Sequence, residues 1–161
     1  MTDSHAQFLD SIPENYDAHL GLLLFHFYGS DLARRVGVTV GGRVLELACG
    51  TGIFTQYLRG TLAVEVEIVA TDLNEPMLDF ARDKRGELEN VSFEQADTLS
   101  LPFADGAVDA VVCQFGVMFF PDKEAGMREA ARVLKSGWRV GTRRQHRARR
   151  VIAKPVCCLL R

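Results

Sequence analysis

The residues best suited to binding chemistry lie between Glu46 and Gly52. The run Val44–Leu47 is apolar except for Glu46, and it leads directly into a short turn that contains Ala48, Gly50 and Gly52. Because Gly50 and Gly52 lack a Cβ, the backbone there can form a tight turn and approach a bound small molecule closely. A short apolar strand followed by such a turn and a helix is typical of nucleotide-binding α/β domains.

A second acid follows at the spacing that a nucleoside site requires. Asp72 comes twenty positions after Gly52, at the end of an apolar run from Val64 to Thr71. At the tip of the second strand of a βαβ unit, its carboxylate can accept hydrogen bonds from both ribose hydroxyls. The dinucleotide pattern is not met, because the turn begins with Ala48 and has Thr55 where the third glycine belongs. Pyrophosphate binding is therefore disfavoured, and a nicotinamide-dependent oxidoreductase is a minor alternative.

These residues need a parallel sheet to bring them together, and the apolar pattern predicts one. Apolar runs bounded by turn residues predict buried strands, and apolar residues at helical spacing predict the helices between them. The predicted strands are Arg43–Leu47, Val64–Thr71, Val91–Glu94 and Ala107–Cys113, and the predicted helices are Ile53–Arg59, one capped by Asn74, and one from Asp122 to Leu134. Before them we predict two short helices, separated at Gly29 and Ser30, with Ser30 as the N-cap of the second.

Four motifs, in order along the chain, resemble those of class I S-adenosylmethionine-dependent methyltransferases. The first is the pattern acid-x-(Gly or Ala)-x-Gly-x-Gly at Glu46–Gly52. The others are Asp72–Leu78, Gln95–Asp97, and Leu101–Phe103 leading to Val108–Val112. The resemblance extends from Ser11 to Gly137 and implies an α/β fold with a Rossmann-like, doubly wound parallel sheet and helices on both faces. It also implies S-adenosyl-L-methionine as cofactor and in-line transfer of its methyl group to a small molecule.

The same resemblance implies which residues contact the cofactor. It places the Glu46 carboxylate at the ammonium end, the Asp72 carboxylate at the ribose and the Asp97 carboxylate at the adenine amino group. For Asp72 and Asp97, capping a helix or a loop is the alternative role. The implied cofactor-binding residues are Glu46, Ala48, Gly50, Gly52, Asp72, Leu73, Met77, Asp97, Thr98 and Gln114.

Other candidate residues lie at the edges of this site. Tyr16 and Tyr28 belong to N-terminal helices that close over the cofactor in the family, so they are candidate lid contacts. His19 and His26 could act as a general base, although a structural role is the simpler interpretation of an isolated histidine on an apolar helical face. The sequence identifies no catalytic residue, and its four cysteines lack the spacing of a metal site. Gln114, at the carboxyl end of the fourth strand, could contact either cofactor or substrate.

Composition predicts a soluble, cytoplasmic protein. Of the 161 residues 47% are hydrophobic, which is enough for a core, and no apolar run reaches the roughly 18 residues of a membrane span. The first ten residues lack the basic and apolar regions of a secretory signal. We therefore predict a helical lid over residues 1–40, a cofactor-binding domain over residues 41–137 and a separate tail over residues 138–161.

The tail after Gly137 differs in composition from the rest of the chain. Residues 138–161 contain seven Arg, one Lys and no acid, giving a charge of +8 against −10 for the remainder. A central parallel strand does not have this composition. We expect a frame shift or aberrant splice there, with the C-terminal strands of the usual seven-stranded sheet missing and the fourth strand left at the edge. A nucleic-acid-binding arm and a solvated extension are the alternatives.

Overall fold

Six strands form one sheet in the part of the chain that the structure describes. The structure is a computed structural model that describes residues 26–135, 151–154 and 157–160, with side chains from residue 28 to 135. The strands are β1 Arg43–Leu47, β2 Glu67–Asp72, β3 Val91–Gln95, β4 Ala110–Gln114, β5 Val151–Lys154 and β6 Cys157–Leu160. Their order across the sheet is β3-β2-β1-β4-β6-β5.

The first four strands form the parallel half of the sheet. β1 pairs in parallel with β2 on one side and β4 on the other, and β2 pairs in parallel with β3. The chain therefore leaves β1 in one direction to form β2 and β3, and returns to the other side of β1 to form β4. The carboxyl ends of β1 and β4 lie at this change of direction, which is where open α/β sheets bind ligands.

Helices cover both faces of the parallel half, as the resemblance implied. They are α1 His26–Arg35, α2 Ile53–Thr61, α3 Glu75–Arg85 and α4 Lys123–Val133, with a 3-10 helix at Gly116–Phe119. Adjacent residues of β1 point to opposite faces. Val44 packs with Leu32 of α1 and Leu58 of α2, whereas Leu45 packs in the cluster that contains Val133 of α4. Burial on both faces explains why β1, β2 and β4 are mainly apolar, whereas the edge strand β3 is only partly buried and contains Ser92, Glu94 and Gln95.

The predicted break at Gly29 and Ser30 is wrong, because both residues lie inside α1. A Cβ added to Gly29 would come within 3.0 Å of the Tyr57 ring on α2. The glycine therefore allows α1 to pack closely against α2, and it does not end a helix. By contrast, Asp122 precedes α4 as predicted, and its side chain accepts a hydrogen bond from the amide of Ala125 at 2.9 Å.

The expectation that β4 forms the edge of the sheet is also wrong. β6 pairs antiparallel with β4, with Val112 opposite Leu159, and β5 pairs antiparallel with β6. The basic residues of the tail are concentrated before Val151, and the two segments that follow are short and mainly apolar. The average composition of the tail concealed these two segments. The described residues contain no fifth parallel strand, so this side of the sheet carries an antiparallel pair.

Some of the sequence-based predictions lie outside the described residues. These are Tyr16, His19, most of the helical lid over residues 1–40, and the arginine-rich part of the tail. Among the helices of the described ranges, none combines the length and the apolar character needed to cross a membrane.

Candidate functional site

The turn after β1 has a backbone conformation that its small residues make accessible. Ala48, Gly50 and Gly52 have φ angles of 52°, 55° and 80°, in the left-handed region. The turn is held by hydrogen bonds from the Cys49 amide to the Thr71 carbonyl at 2.9 Å and from the Gly52 amide to the Cys49 carbonyl at 3.0 Å. A Cβ on Gly50 would meet nothing within 4 Å, so the backbone at this point faces open space. A ligand can approach it directly.

Asp72, at the carboxyl end of β2, connects this turn to the start of α3. Its Oδ2 accepts a hydrogen bond from the Gly50 amide at 2.8 Å, and its Oδ1 accepts one from the Asn74 amide at 2.9 Å. Burial raises the pKa of Asp72, and these amides oppose that shift. Asp72 therefore holds the turn, whereas the helix-capping position considered as its alternative role is occupied by Asn74. Each carboxylate oxygen still has a second lone pair, so ribose hydroxyls could also bind there.

Glu46 is a buried acid on the face of β1 that packs against α2. Its side chain is 1% exposed, and its Oε2 accepts a hydrogen bond from the hydroxyl of Thr55 at 2.7 Å. Loss of hydration raises the pKa of Glu46 to about 8; the Thr55 hydrogen bond and the charge of Arg85 oppose this shift, and the charge of Asp72 adds to it. With these protein groups around it, the carboxyl group is therefore mainly protonated at neutral pH.

The segment after β4 packs against the glycine-rich turn. A Cβ on Gly116 would lie 2.4 Å from the Cβ of Ala48, so only glycine allows this approach. The preceding residue, Phe115, has a φ of 63°, and its ring contacts the Tyr28 ring edge-on at 6.0 Å. Tyr28 is 42% exposed, and its role as a lid contact stays a prediction.

An open pocket lies between the turn and β4, and the empty space in it, open solvent included, is about 310 Å³. The lining residues are Glu46, Ala48, Cys49, Gly50, Thr51, Ile53, Phe54 and Gln114. Four of these, Glu46, Ala48, Gly50 and Gln114, were predicted from the sequence. The other four directly follow or interrupt the predicted motif, so their position in the turn and at the start of α2 was the available signal.

Gly52 packs against the side chains of Arg85 and Phe93 at the end of the glycine-rich turn. A Cβ there would come within 3.1 Å of both the Arg85 side chain and the Phe93 ring. Arg85 in turn donates a hydrogen bond to the carbonyl of Thr51 at 2.8 Å, which ties α3 to the turn. The predicted role of Gly52 in cofactor contact stays a prediction, whereas its packing role follows from this geometry.

Four other implied cofactor-binding residues follow β2 and β3: Leu73 comes directly after β2, Met77 lies in the first turn of α3, and Asp97 and Thr98 come after β3. Leu73 is 54% exposed, Met77 is buried, and Thr98 is partly buried. Asp97 is exposed, and its Oδ1 accepts a hydrogen bond from the Leu99 amide at 2.8 Å, which is the loop-capping role considered as the alternative. None of the four lines the 310 Å³ pocket. Their contacts to the cofactor, including that of Asp97 to adenine, stay predictions.

Comparison with known proteins identifies relatives of the chain. It is 41% identical over 107 residues to the ubiquinone/menaquinone biosynthesis C-methyltransferase UbiE of Idiomarina loihiensis, covering 65% of this chain and 43% of that protein. It is 44% identical over 99 residues to the demethylmenaquinone methyltransferase of Deinococcus radiodurans, covering 61% and 41%. The chain thus spans about two fifths of the length of these relatives.

Solved structures share the fold. A SAM-dependent methyltransferase from Aquifex aeolicus superposes with a TM-score of 0.71 at 20% identity, covering 96% of this chain and 97% of that one. The YcgJ protein from Bacillus subtilis gives a TM-score of 0.61 at 29% identity, covering 69% and 47%. These likenesses confirm the predicted Rossmann-like fold. A family model described as "Methyltransferase domain" matches residues 45–140, and the chain belongs to this methyltransferase family, as its motifs predicted.

Proposed function

We propose that the chain binds S-adenosyl-L-methionine between the glycine-rich turn and β4, and that the protein transfers the methyl group to a small molecule. The observation that carries this proposal is the grouping of Glu46, the open backbone at Gly50, and Asp72 at one edge of the sheet. The buried acid is complementary to the ammonium group of the cofactor, and the second acid is complementary to its ribose diol. The unobstructed turn between them leaves space for the methionine part. The residues present therefore fit this cofactor.

Within this site each residue has a distinct task. Glu46 accepts a hydrogen bond from the ammonium group, and Gly50 leaves room for the methionine part of the cofactor. Asp72 accepts hydrogen bonds from the ribose hydroxyls while it holds the turn. The bound cofactor supplies an already activated methyl group. The contribution of the protein is then to orient donor and acceptor in line and to exclude water.

We also propose that the acceptor is an apolar, quinone-like molecule that is methylated on carbon. Two relatives are named for ubiquinone/menaquinone biosynthesis and for demethylmenaquinone. In this chain, exposed apolar side chains follow β4 at the same edge as the pocket: Met118 is 56% exposed and Phe119 is 68% exposed. An apolar acceptor would cover these side chains, and burial of their surface would favour binding.

Thermal unfolding with and without S-adenosylhomocysteine tests cofactor binding. A ligand that binds only the folded state should stabilise it by about 2.7 kcal/mol at a hundredfold excess over its dissociation constant. We expect an increase in Tm with S-adenosylhomocysteine and none with NADH. Asp72→Asn should lose most of this increase, because its amide nitrogen cannot accept from the ribose or from the Gly50 amide.

Asp79→Asn is the matched control, since Asp79 is an exposed acid on α3 whose ion pair with Arg82 lies at the surface. It should respond to S-adenosylhomocysteine as the unmodified chain does. Equal Tm increases for Asp72→Asn and Asp79→Asn would contradict the role of Asp72. An increase with NADH instead would favour the oxidoreductase alternative.

A second candidate function is cofactor binding without methyl transfer. The observation that favours it is that the antiparallel strand β6 lies beside β4, next to the candidate site. The surface that faces the methyl acceptor would then differ from that of the usual seven-stranded sheet. Transfer of a labelled methyl group to a demethylated quinone distinguishes the two functions. Labelled product supports the methyltransferase, whereas binding without product supports the second candidate.

A cytoplasmic location is part of the same proposal. Contact between the arginine-rich part of the tail and a nucleic acid stays an alternative prediction.

A further inference from the structure

Thr55 makes an unusual contact for a threonine in the first turn of a helix. It is the third residue of α2 and is completely buried, and its hydroxyl donates to Glu46 Oε2 at 2.7 Å. A helical threonine more often donates to a backbone carbonyl of the preceding turn. Here the Thr51 carbonyl, four residues earlier, accepts instead from Arg85 at 2.8 Å. The Thr55 hydroxyl is thereby directed at the carboxyl group on β1.

The charged groups around Glu46 make their hydrogen bonds to backbone groups. Asp72, at the end of β2, accepts from two backbone amides, and Arg85, on α3, donates to a backbone carbonyl. Cys49, in the turn, has a pKa raised by burial, so its thiol is neutral. Gln114, from β4, is uncharged. No basic side chain is among the described residues that line the pocket. The charge of Arg85 opposes the upward shift of the Glu46 pKa, but Arg85 does not line the pocket, so a positive charge inside the pocket would have to come from a ligand.

We propose that Glu46 is protonated in the ligand-free pocket and releases a proton when a ligand ammonium group enters, and that Thr55 is the positioning residue that holds Glu46 Oε2 throughout. This inference rests on the proposed function, because it needs a ligand with an ammonium group. The O–H bond of the Glu46 carboxyl breaks, the proton passes to the solvent, and the resulting carboxylate accepts a hydrogen bond from the ligand's –NH3+.

The physical basis is the competition between burial and charge. Burial disfavours the ionised form of Glu46, whereas an opposite charge within about 4–6 Å favours it and lowers a carboxyl pKa by about 1–3 units. The Thr55 hydroxyl also favours the ionised form, since it opposes the upward shift of the Glu46 pKa. Without that hydroxyl, ionisation would be harder and the ligand would bind more weakly.

Isothermal titration calorimetry of the unmodified chain in two buffers tests the proton release. S-adenosylhomocysteine is titrated at pH 7 in phosphate and in Tris, whose ionisation enthalpies differ. We expect the binding enthalpies to differ by an amount that corresponds to release of roughly half to one proton per ligand. Methylthioadenosine, which has the nucleoside but no ammonium group, should bind with the same enthalpy in both buffers.

Two pairs of variants separate positioning from general structure. Thr55→Ser keeps the hydroxyl and should resemble the unmodified chain. Thr55→Val keeps the shape and should lower the affinity for S-adenosylhomocysteine roughly tenfold or more, while leaving methylthioadenosine affinity unchanged. Glu46→Gln should abolish the dependence on buffer, and the surface variant Glu67→Gln should retain it.

The possible outcomes distinguish the inference from the function on which it rests. If neither ligand binds, both the inference and the proposed function are wrong. If S-adenosylhomocysteine binds with the same enthalpy in both buffers, the proton release is wrong and the proposed function stands. If Thr55→Val and Thr55→Ser bind it equally well, the positioning role of Thr55 is wrong.

Discussion

Replacing Gly116 by alanine is expected to remove most of the chain's affinity for its cofactor and to destabilise the fold. The added Cβ would lie 2.4 Å from the Cβ of Ala48 and 2.9 Å from the Cys113 sulfur. Neither neighbour is the far end of a flexible side chain, so the glycine-rich turn and the segment after β4 must move apart. Overpacking of this kind costs about 1–3 kcal/mol. Because the displaced turn forms the pocket, we expect a loss of S-adenosylhomocysteine affinity of roughly tenfold to hundredfold, which corresponds to the same range of free energy.

Gly60→Ala is the matched control for this variant. Gly60 lies in α2, and a Cβ there would meet nothing within 4 Å. The substitution should stabilise the chain by about 0.4–1 kcal/mol, because alanine restricts the unfolded chain and favours a helix. Urea unfolding and calorimetric titration of both variants make the comparison. If Gly116→Ala binds the ligand as tightly as Gly60→Ala, the contact with Ala48 does not shape the site.

The dependence on Gly116 shows which features of the site a sequence can predict. The strand, turn and helix around Glu46 to Gly52 are local, and their apolar pattern and glycines predicted them correctly. Gly116, by contrast, is required by a residue 68 positions earlier in the chain, and no local pattern indicates such a contact. Gly29 is a similar case. Local rules predict that it breaks a helix, whereas in the structure it allows α1 and α2 to pack closely.

The C-terminal strands illustrate a second limit. The composition of residues 138–161 correctly argued against a parallel central strand, because such strands are buried on both faces. It did not argue against two short antiparallel strands, for which four residues each are sufficient. The pairing of β6 with β4 depends on the edge that the parallel strands leave open, and β5 pairs with β6 in turn. Composition averaged over the whole tail could not indicate this pairing.

Glu46 has one feature that the sequence predicted and one that it did not. An acid within an apolar strand predicted a buried, costly carboxyl group, and the structure places it at 1% exposure. Its partner Thr55 was noted in the sequence only as a mismatch to the dinucleotide pattern. The hydrogen bond between them arises because the first turn of α2 lies over the face of β1 to which Glu46 points. The residue that disfavours a pyrophosphate is therefore also the one that holds the acid.

The ligand-free chain is expected to lose stability as the pH rises from about 4.5 to about 8, and Glu46→Gln should remove most of this loss. The pKa of Glu46 rises from 4.5 to about 8 on folding because its carboxyl group loses hydration. The folded state therefore binds this proton more tightly than the unfolded state. The resulting stabilisation is complete below pH 4.5 and is lost as the pH increases through 8. Within that window the unfolding equilibrium constant should increase nearly tenfold per pH unit relative to Glu46→Gln.

Urea unfolding at pH 5, 6, 7 and 8 without ligand measures this difference. Only the slopes against pH are compared, because the amide of Glu46→Gln changes the baseline stability. The raised pKa of Asp72 adds a pH dependence of its own, but it does so in both chains. Parallel profiles would mean that Glu46 is already ionised in the folded chain. Saturating S-adenosylhomocysteine should flatten the profile of the unmodified chain, since a neighbouring ammonium group would remove the cost of ionising Glu46.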